Sequence, residues 1–191
     1  MSRADREQQM LDVAEEVFAE QGYAAVSMEE IAVRVGVSKP MLYEYFGSKE
    51  GLLLATIGRA RTELFETTAA AIQGAESAED KLRSGYLAYF RFNEAHRRAW
   101  LVLLQEPVLN RGAAGEIEAT RRQQTDLITA QMGQLAPDRP RRDLEAYAEI
   151  IVGASERLAL WRTRNPEVSV EEAARQMMDL TWHGLSSLAN G

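Results

Sequence analysis

The stretch SMEEIAVRVGVSKPMLYEYFGSKEGLLL, from Ser27 to Leu54, restricts the fold more than any other part of the chain. Ser27 and Glu30 have the spacing of a capping box, in which a serine hydroxyl takes a backbone N–H of the first helical turn and the acidic residue answers it. Ile31, Ala32 and Val35 give the short helix that follows an apolar face, and Gly36 breaks it. Ser38 stands at the start of a second helix, with Lys39 and Pro40 in its first turn, where proline forfeits no hydrogen bond. Leu42 and Phe46 lie four residues apart and point together into a small core. Gly47 ends this helix and Ser48 starts the next. Two short helices across a tight turn, with a third behind them, form a helix-turn-helix unit, whose second helix offers its free face to a DNA major groove.

Helical periodicity extends over the rest of the chain, and alternating β-branched runs are almost absent, so the predicted class is all-α with about nine helices. A first helix from Arg3 to Gln21 carries Leu11, Ala14 and Phe18 on one face, and Gly22 follows its last turn. The fourth helix is expected over residues 48–73, linking a DNA-binding domain of residues 1–50 to a regulatory domain of residues 51–191. Gly74 to Ser77 reads as a loop. Further helices are expected from Ala78 to Glu94, to Gln105, from Ala114 to Gln134, from Arg142 to Arg164 and from Val170 to Leu188. Asn165-Pro166 interrupts the last two, and Ser169 with Glu172 forms a second capping box.

Composition narrows the function classes. There is no cysteine, which excludes disulfides and thiolate metal sites and fits a reducing, cytoplasmic setting. No apolar run approaches the roughly 20 residues that span a bilayer. His96 and His183, the two histidines, have no ligand spacing around them, so no metal is expected. Nucleophile-elbow, phosphate-loop and dinucleotide glycine patterns are all missing; neither an enzyme nor a cofactor is expected. The formal net charge is −7, and acidic residues outnumber basic ones in the first sixty positions. Such a chain does not coat DNA by bulk attraction. Charges more than about 8–10 Å apart are largely screened, so a few cations on one face suffice for a local site.

The helix ending in AEQGY, the turn GVS, the LYEYF core and the SKEGLL helix start resemble the TetR family of transcriptional regulators. Strong resemblance covers about the first 60 residues. A weaker one covers NPEVSVEEAARQMMDLTWHGL near the end. It implies DNA contacts from Ser27, Lys39, Pro40, Met41, Tyr43, Tyr45 and Lys49, with Ser38 at the start of the reading helix and Arg34 as a phosphate candidate. Chemistry supports the same surface. A lysine can donate to guanine O6 or N7, and apolar side chains can meet a thymine methyl. Tyrosine hydroxyls and helix N-termini suit phosphates. Each residue also has a plainer reading: exposed lysines are ordinarily just solvated, Tyr43 can pack inward, Ser27 caps its helix in any case, and Met41 stands where the family often has a small residue. Arg3 and Arg6 can form an arm near the DNA backbone.

The resemblance also implies a ligand-binding and dimerisation body. Candidate pocket residues are Tyr86, Tyr89, Phe90, Asn93, Trp100 and Leu104, with His96, Gln105 and Glu106 as further polar anchors. Aromatics at helical spacing are equally the mark of plain core. For a dimer interface the last two helices offer Ile150, Ile151, Ala154, Leu158 and Trp161, then Met177, Leu180, Thr181, Gly184, Leu185 and Leu188; part of these stripes must bury within the monomer. The arginines at 97–98, 121–122 and 139–142 read as solvated faces. The expected function is a homodimeric repressor of a palindromic operator, released by a small apolar ligand. The alternative is a ligand-sensing helical module without sequence-specific DNA binding. Expected partners are double-stranded DNA, a second copy and a small molecule, with no membrane.

Overall fold

A computed structural model describes residues 1–96 and 112–189, with side chains described at all of them except 112–114, 116, 117, 120 and 183–189. All regular structure among the described residues is helical. The elements are α1 (Arg3–Gln21), α2 (Met28–Val35), α3 (Lys39–Phe46), α4 (Lys49–Gln73), α5 (Ala78–Ala95), α6 (Gly112–Leu135), α7 (Arg141–Arg162) and α8 (Val170–Ala189). The short helix expected to reach Gln105 lies outside the described residues. Contacts divide the chain into two compact units, Met1–Thr62 with His96–Ile117, and Glu63–Ala95 with Glu118–Gly191.

In the first unit, α1 begins with a capping box that the sequence reading passed over. The Ser2 hydroxyl accepts from the Asp5 amide, and the Asp5 carboxylate accepts from the Ser2 amide. Those bonds hold the Asp5 carboxyl below its ordinary pKa. Arg3 and Arg6 are therefore helical residues, not a free arm. Met10, Leu11, Ala14, Val17 and Phe18 of α1 bury against Met28, Ile31, Ala32 and Val35 of α2, Leu42 of α3, and Leu52, Leu53 and Ile57 of α4. Beside this core Arg59 pairs with Asp12 and, at 2.5 Å, with Glu15, tying α4 to α1. His96, read as a possible pocket anchor, places Nδ1 2.5 Å from the same Glu15 carboxylate. It belongs to this unit rather than to a pocket.

In the second unit α5 packs chiefly on α8, with α7 beside both. Tyr86 and Phe90 meet Ile151, Ala173, Ala174 and Met177 in one apolar cluster. Ser77 caps α5 through the Asp80 amide, and Ser169 caps α8 through that of Glu172, as its spacing predicts. Helix α7 ends at Arg162, two residues before the expected Arg164, because the Thr163 and Arg164 amides turn back to the Leu160 and Trp161 carbonyls. Arg162 is itself buried; its Nε donates to the Val168 carbonyl beyond the Asn165-Pro166 turn, and its guanidinium faces the Phe90 ring. Arg121, expected on a solvated face, instead grips Glu156 with three N–H···O bonds of 2.8–3.0 Å, joining α6 to α7.

The Glu15 cluster gives a pH signature. Burial pushes its carboxyl up, but hydrogen bonds and charge from His96 and Arg59 outweigh burial and hold it below the ordinary value. A depressed carboxylate contributes stability above its unfolded pKa, about 4.3, which is lost as pH falls through the lower folded value. Urea unfolding of the native protein and Glu15→Gln should show a stability gap that is open at neutral pH and closes below about pH 4. A gap independent of pH would show that the carboxylate charge contributes nothing.

Candidate functional site

The turn between α2 and α3 is fixed by backbone. Gly36 adopts φ +79°, ψ 34°, a left-handed conformation that side chains resist, and its amide donates to the Ala32 and Val33 carbonyls. The Val37 amide returns to the Ala32 carbonyl at 3.0 Å. Ser27 caps α2 through the Glu30 amide, but Glu30 answers Gln21 of α1 instead of completing the box. Ser38 holds the N-cap position of α3 with extended backbone, yet its hydroxyl makes no capping bond; its carbonyl receives the Met41 and Leu42 amides. Proline in that turn supplies the right φ without needing its missing N–H.

Beneath α3, Leu42 is 0% exposed, while Phe46 is half-buried at the edge of the core. Lys39, Pro40, Met41 and Tyr43 consequently stand on the free face, Tyr43 at 43% exposure. Tyr45 does not: it packs partly on the core, 6.0 Å ring to ring from Phe46, and carries the Arg3 guanidinium 4.9 Å above its ring. Helix α4 approaches closely behind α3. A Cβ on Gly51 would lie 2.1 Å from the Phe46 carbonyl oxygen, so only glycine lets the SKEGLL start close over the end of α3.

The cations of this surface are all engaged. Lys39 Nζ sits 3.0 Å from the Glu29 carboxylate of α2, and Arg34 sits 2.7 Å from Glu20 of α1. Hydrogen bonding and charge from those carboxylates raise the pKa of both groups. Lys49, expected at an anion site, turns back: its ammonium donates to the Val26 carbonyl and lies 4.4 Å from the centroid of the Tyr23 ring. Sequence reasoning missed Glu29 and Glu20 as partners. The pairs lie 10 and 14 residues apart, outside any i,i+4 rule, so no local pattern exposes them.

The second unit holds a half-open cavity of about 300 Å³ lined by residues of α4 to α8, among them Ile72, Leu82, Ile128, Met132, Ile151 and Trp182, with Lys81, Gln131 and Gln134 as polar members. A smaller lobe of about 60 Å³ shares Ile72, Lys81, Leu82, Ile128 and Ile151 and adds Phe65, Thr68, Tyr86, Tyr89 and Gln124. Of the expected pocket residues, Tyr86 and Tyr89 line it. Phe90 is wholly buried in the adjoining cluster, and the Asn93 amide is spent on the Tyr89 carbonyl at 2.8 Å. Trp100 and Leu104 lie outside the described residues. Burial pushes the Tyr86 hydroxyl up to about 12, against its bond to Thr181, and burial with the Glu156 charge pushes Tyr89 higher still. Both stay neutral donors at physiological pH.

The expected interface residues divide. Ile151 and Met177 belong to the core of the unit, and Ala154 and Leu158 pack partly against it. Thr181 bonds the Tyr86 hydroxyl at 3.0 Å. Ile150, Trp161 and Leu180 face outward, with Ile150 64% and Leu180 72% exposed. The side chains of Gly184, Leu185 and Leu188 lie outside the described ones.

A first unit of this build is a helix-turn-helix module, the arrangement found in DNA-binding proteins. Residues 10–56 match the family model described as bacterial regulatory proteins, tetR family, and residues 78–184 match that of the tetracyclin repressor-like C-terminal domain. The transcriptional activator FasR of Mycolicibacterium smegmatis is 30% identical over 97% of this chain and 85% of its own. A TetR-like regulator from Rhodococcus sp. RHA1 is 34% identical, covering 97% of this chain and 98% of that one at a TM-score of 0.74. FadR of Bacillus subtilis, crystallised with stearoyl-CoA, shares the fold at a TM-score of 0.77 and 19% identity, over 91% of this chain and 96% of its own. The chain belongs to the TetR family: it is a DNA-binding transcriptional regulator, and its relatives are regulators rather than enzymes.

The Gly51 contact yields a sharp test. Gly51→Ala forces a methyl onto a backbone oxygen that cannot swing away, at a cost of about 1–3 kcal/mol. Thermal unfolding should show the drop, whereas Gly58→Ala, with open space around its Cβ, should be neutral or stabilising. Equal effects at the two sites would contradict the close approach.

Proposed function

We propose that the protein acts as a homodimer on a roughly palindromic operator. Residues 1–50 serve as the reading head, and residues 51–191 as the regulatory and dimerising body. The observation that carries this reading is the free face of α3: Lys39, Met41 and Tyr43 project over a wholly buried Leu42, within a family of DNA-binding regulators. In the proposal Lys39 reads a base edge, Pro40 and Met41 meet apolar base surface, and Ser27, Ser38 and Tyr43 position phosphates. Arg34, Tyr45 and Lys49 contribute after leaving their present partners. One α3 spans too few base pairs for an operator, and a two-fold copy doubles them. Exposed Ile150, Trp161 and Leu180 on α7 and α8 support that face as the dimer contact. No described helix is long and apolar enough to cross a membrane, which agrees with work in the cytoplasm.

The cavity of the second unit takes a small, largely apolar molecule whose binding alters the affinity for DNA, by about 5- to 150-fold for typical couplings. The stearoyl-CoA bound by the FadR of B. subtilis supports a body of this fold admitting such a molecule. For the sign of control we favour repression by occupancy of the operator. The name of the M. smegmatis activator favours the opposite sign, and transcript levels with the gene deleted decide it, rising for a repressor and falling for an activator.

Selection of genomic fragments with purified protein, followed by gel retardation, tests DNA recognition. A palindrome should emerge, with affinity falling steeply as salt rises. Lys39→Ala should weaken operator binding by about 1–3 kcal/mol. Glu29→Gln should strengthen binding to any DNA, because Lys39 no longer needs to leave a carboxylate and one like charge is removed. No enriched sequence and no effect of either substitution would leave the ligand-sensing module without DNA recognition.

A further inference from the structure

The first two turns of α1 carry two cations that no carboxylate among the described residues holds. Arg6 donates to the Gln9 side chain at 3.2 Å, and Gln9 in turn reaches the Val35 carbonyl at the end of α2. Arg3 is exposed, with its guanidinium 4.9 Å from the centroid of the Tyr45 ring. Glu7 stands one turn further along α1, at a spacing where opposite charges on a helix commonly meet, yet Arg3 forms no ion pair with it. The nearer carboxylate, Asp5, is spent on the Ser2 amide. The position does not favour the helix either, because the N-terminal end of a helix suits anions rather than cations.

The contact with Tyr45 differs in kind from those of Lys39 and Arg34. Those two are neutralised by Glu29 and Glu20, and each must break an ion pair to take a phosphate. An aromatic ring attracts a guanidinium without neutralising it. The N–H donors of Arg3 have no oxygen partner among the described residues. Its place is as informative as its chemistry. Tyr45 lies in the last turn of α3, four residues after Met41 and on the same side of the helix. Arg3 therefore borders the reading face with its charge and its donors unspent.

We propose that Arg3 contacts a backbone phosphate at the edge of the groove that α3 reads, and that the Tyr45 ring holds it beside that face until DNA arrives. The inference rests on α3 meeting DNA as proposed above. The planar guanidinium presents its donors in a fork that matches two phosphate oxygens. A contact of this kind fixes register and carries no sequence preference, so its loss weakens binding to every duplex alike.

Gel retardation with the full chain, on the selected operator and on an unrelated duplex over a series of salt concentrations, tests this. Arg3→Ala should reduce the slope of log affinity against log salt by about 1 for each protomer, about 2 for a dimer. Both duplexes should weaken by a similar factor. Arg3→Lys keeps the charge and should keep the native slope. Arg83→Ala makes the same change of net charge in the second unit and should leave the slope as it is. Operators neutralised at one phosphate at a time by methylphosphonate locate the contact: one position in each half-site should matter to the native protein and no longer to Arg3→Ala. A mere brace between α1 and α3 would lower the thermal stability of Arg3→Ala and leave its salt slope native, and that result overturns the assignment. So does a slope that Arg83→Ala changes equally, or a set of phosphates that matters to both proteins alike. If the native protein retards no duplex, α3 is not a DNA reader, and the inference falls with that reading.

Discussion

Everything in the first unit depends on the burial of Leu42 beneath α3. An eight-residue helix is too short to persist alone in water, because nucleation costs more than so few hydrogen bonds return. It exists because Leu42 fills a space made by α1, α2 and α4, and because Gly36 and Gly51 let the backbone close on both sides of it. Orientation follows from the same packing. With Leu42 inward, the helical period leaves Lys39, Met41 and Tyr43 outward. The outward face is a by-product of the inward one, so the core does not dictate which residues stand on it.

Electrostatics shape how that face can work. The chain carries a net charge of −7, and Lys39, Arg34 and Lys49 are held by Glu29, Glu20 and the Val26 carbonyl respectively. Exposed pairs of this kind contribute little, about 0–1 kcal/mol each, and salt screens them. Phosphates can therefore displace the carboxylates at small cost when several are presented at once. A single stray phosphate gains little from the exchange. In the proposed function this arrangement suppresses loose association with arbitrary DNA and leaves specificity to the correct spacing of two heads.

Much of the fold was legible because its signals are local. Capping serines at 27 and 169, glycines at 36 and 47, and the apolar periods of α1 to α3 name their own structure within a few residues. What escaped was tertiary. Lys49 reads as a free cation until Tyr23 is seen beneath it, and His96 reads as a pocket anchor until Glu15 appears beside it. The stripes on α7 and α8 showed another limit. Periodicity marks apolar positions without saying which neighbour covers them, so Ile151 and Ile150, adjacent in sequence, went to the core and to the surface respectively. For the cavity, aromatic residues drew attention to Phe90, which is core.

The central claim is that the face carrying Met41 meets DNA bases in two copies at once. Because the chain has no cysteine, Met41→Cys provides a unique attachment point for a short photo-crosslinker. On a selected operator, cross-links should fall on bases at two positions related by two-fold symmetry, about 10 base pairs apart on one face of the duplex. An attachment at Arg175, exposed on α8, should give none. Cross-links absent from Met41, or confined to a single position, or equally frequent from Arg175, would contradict the account.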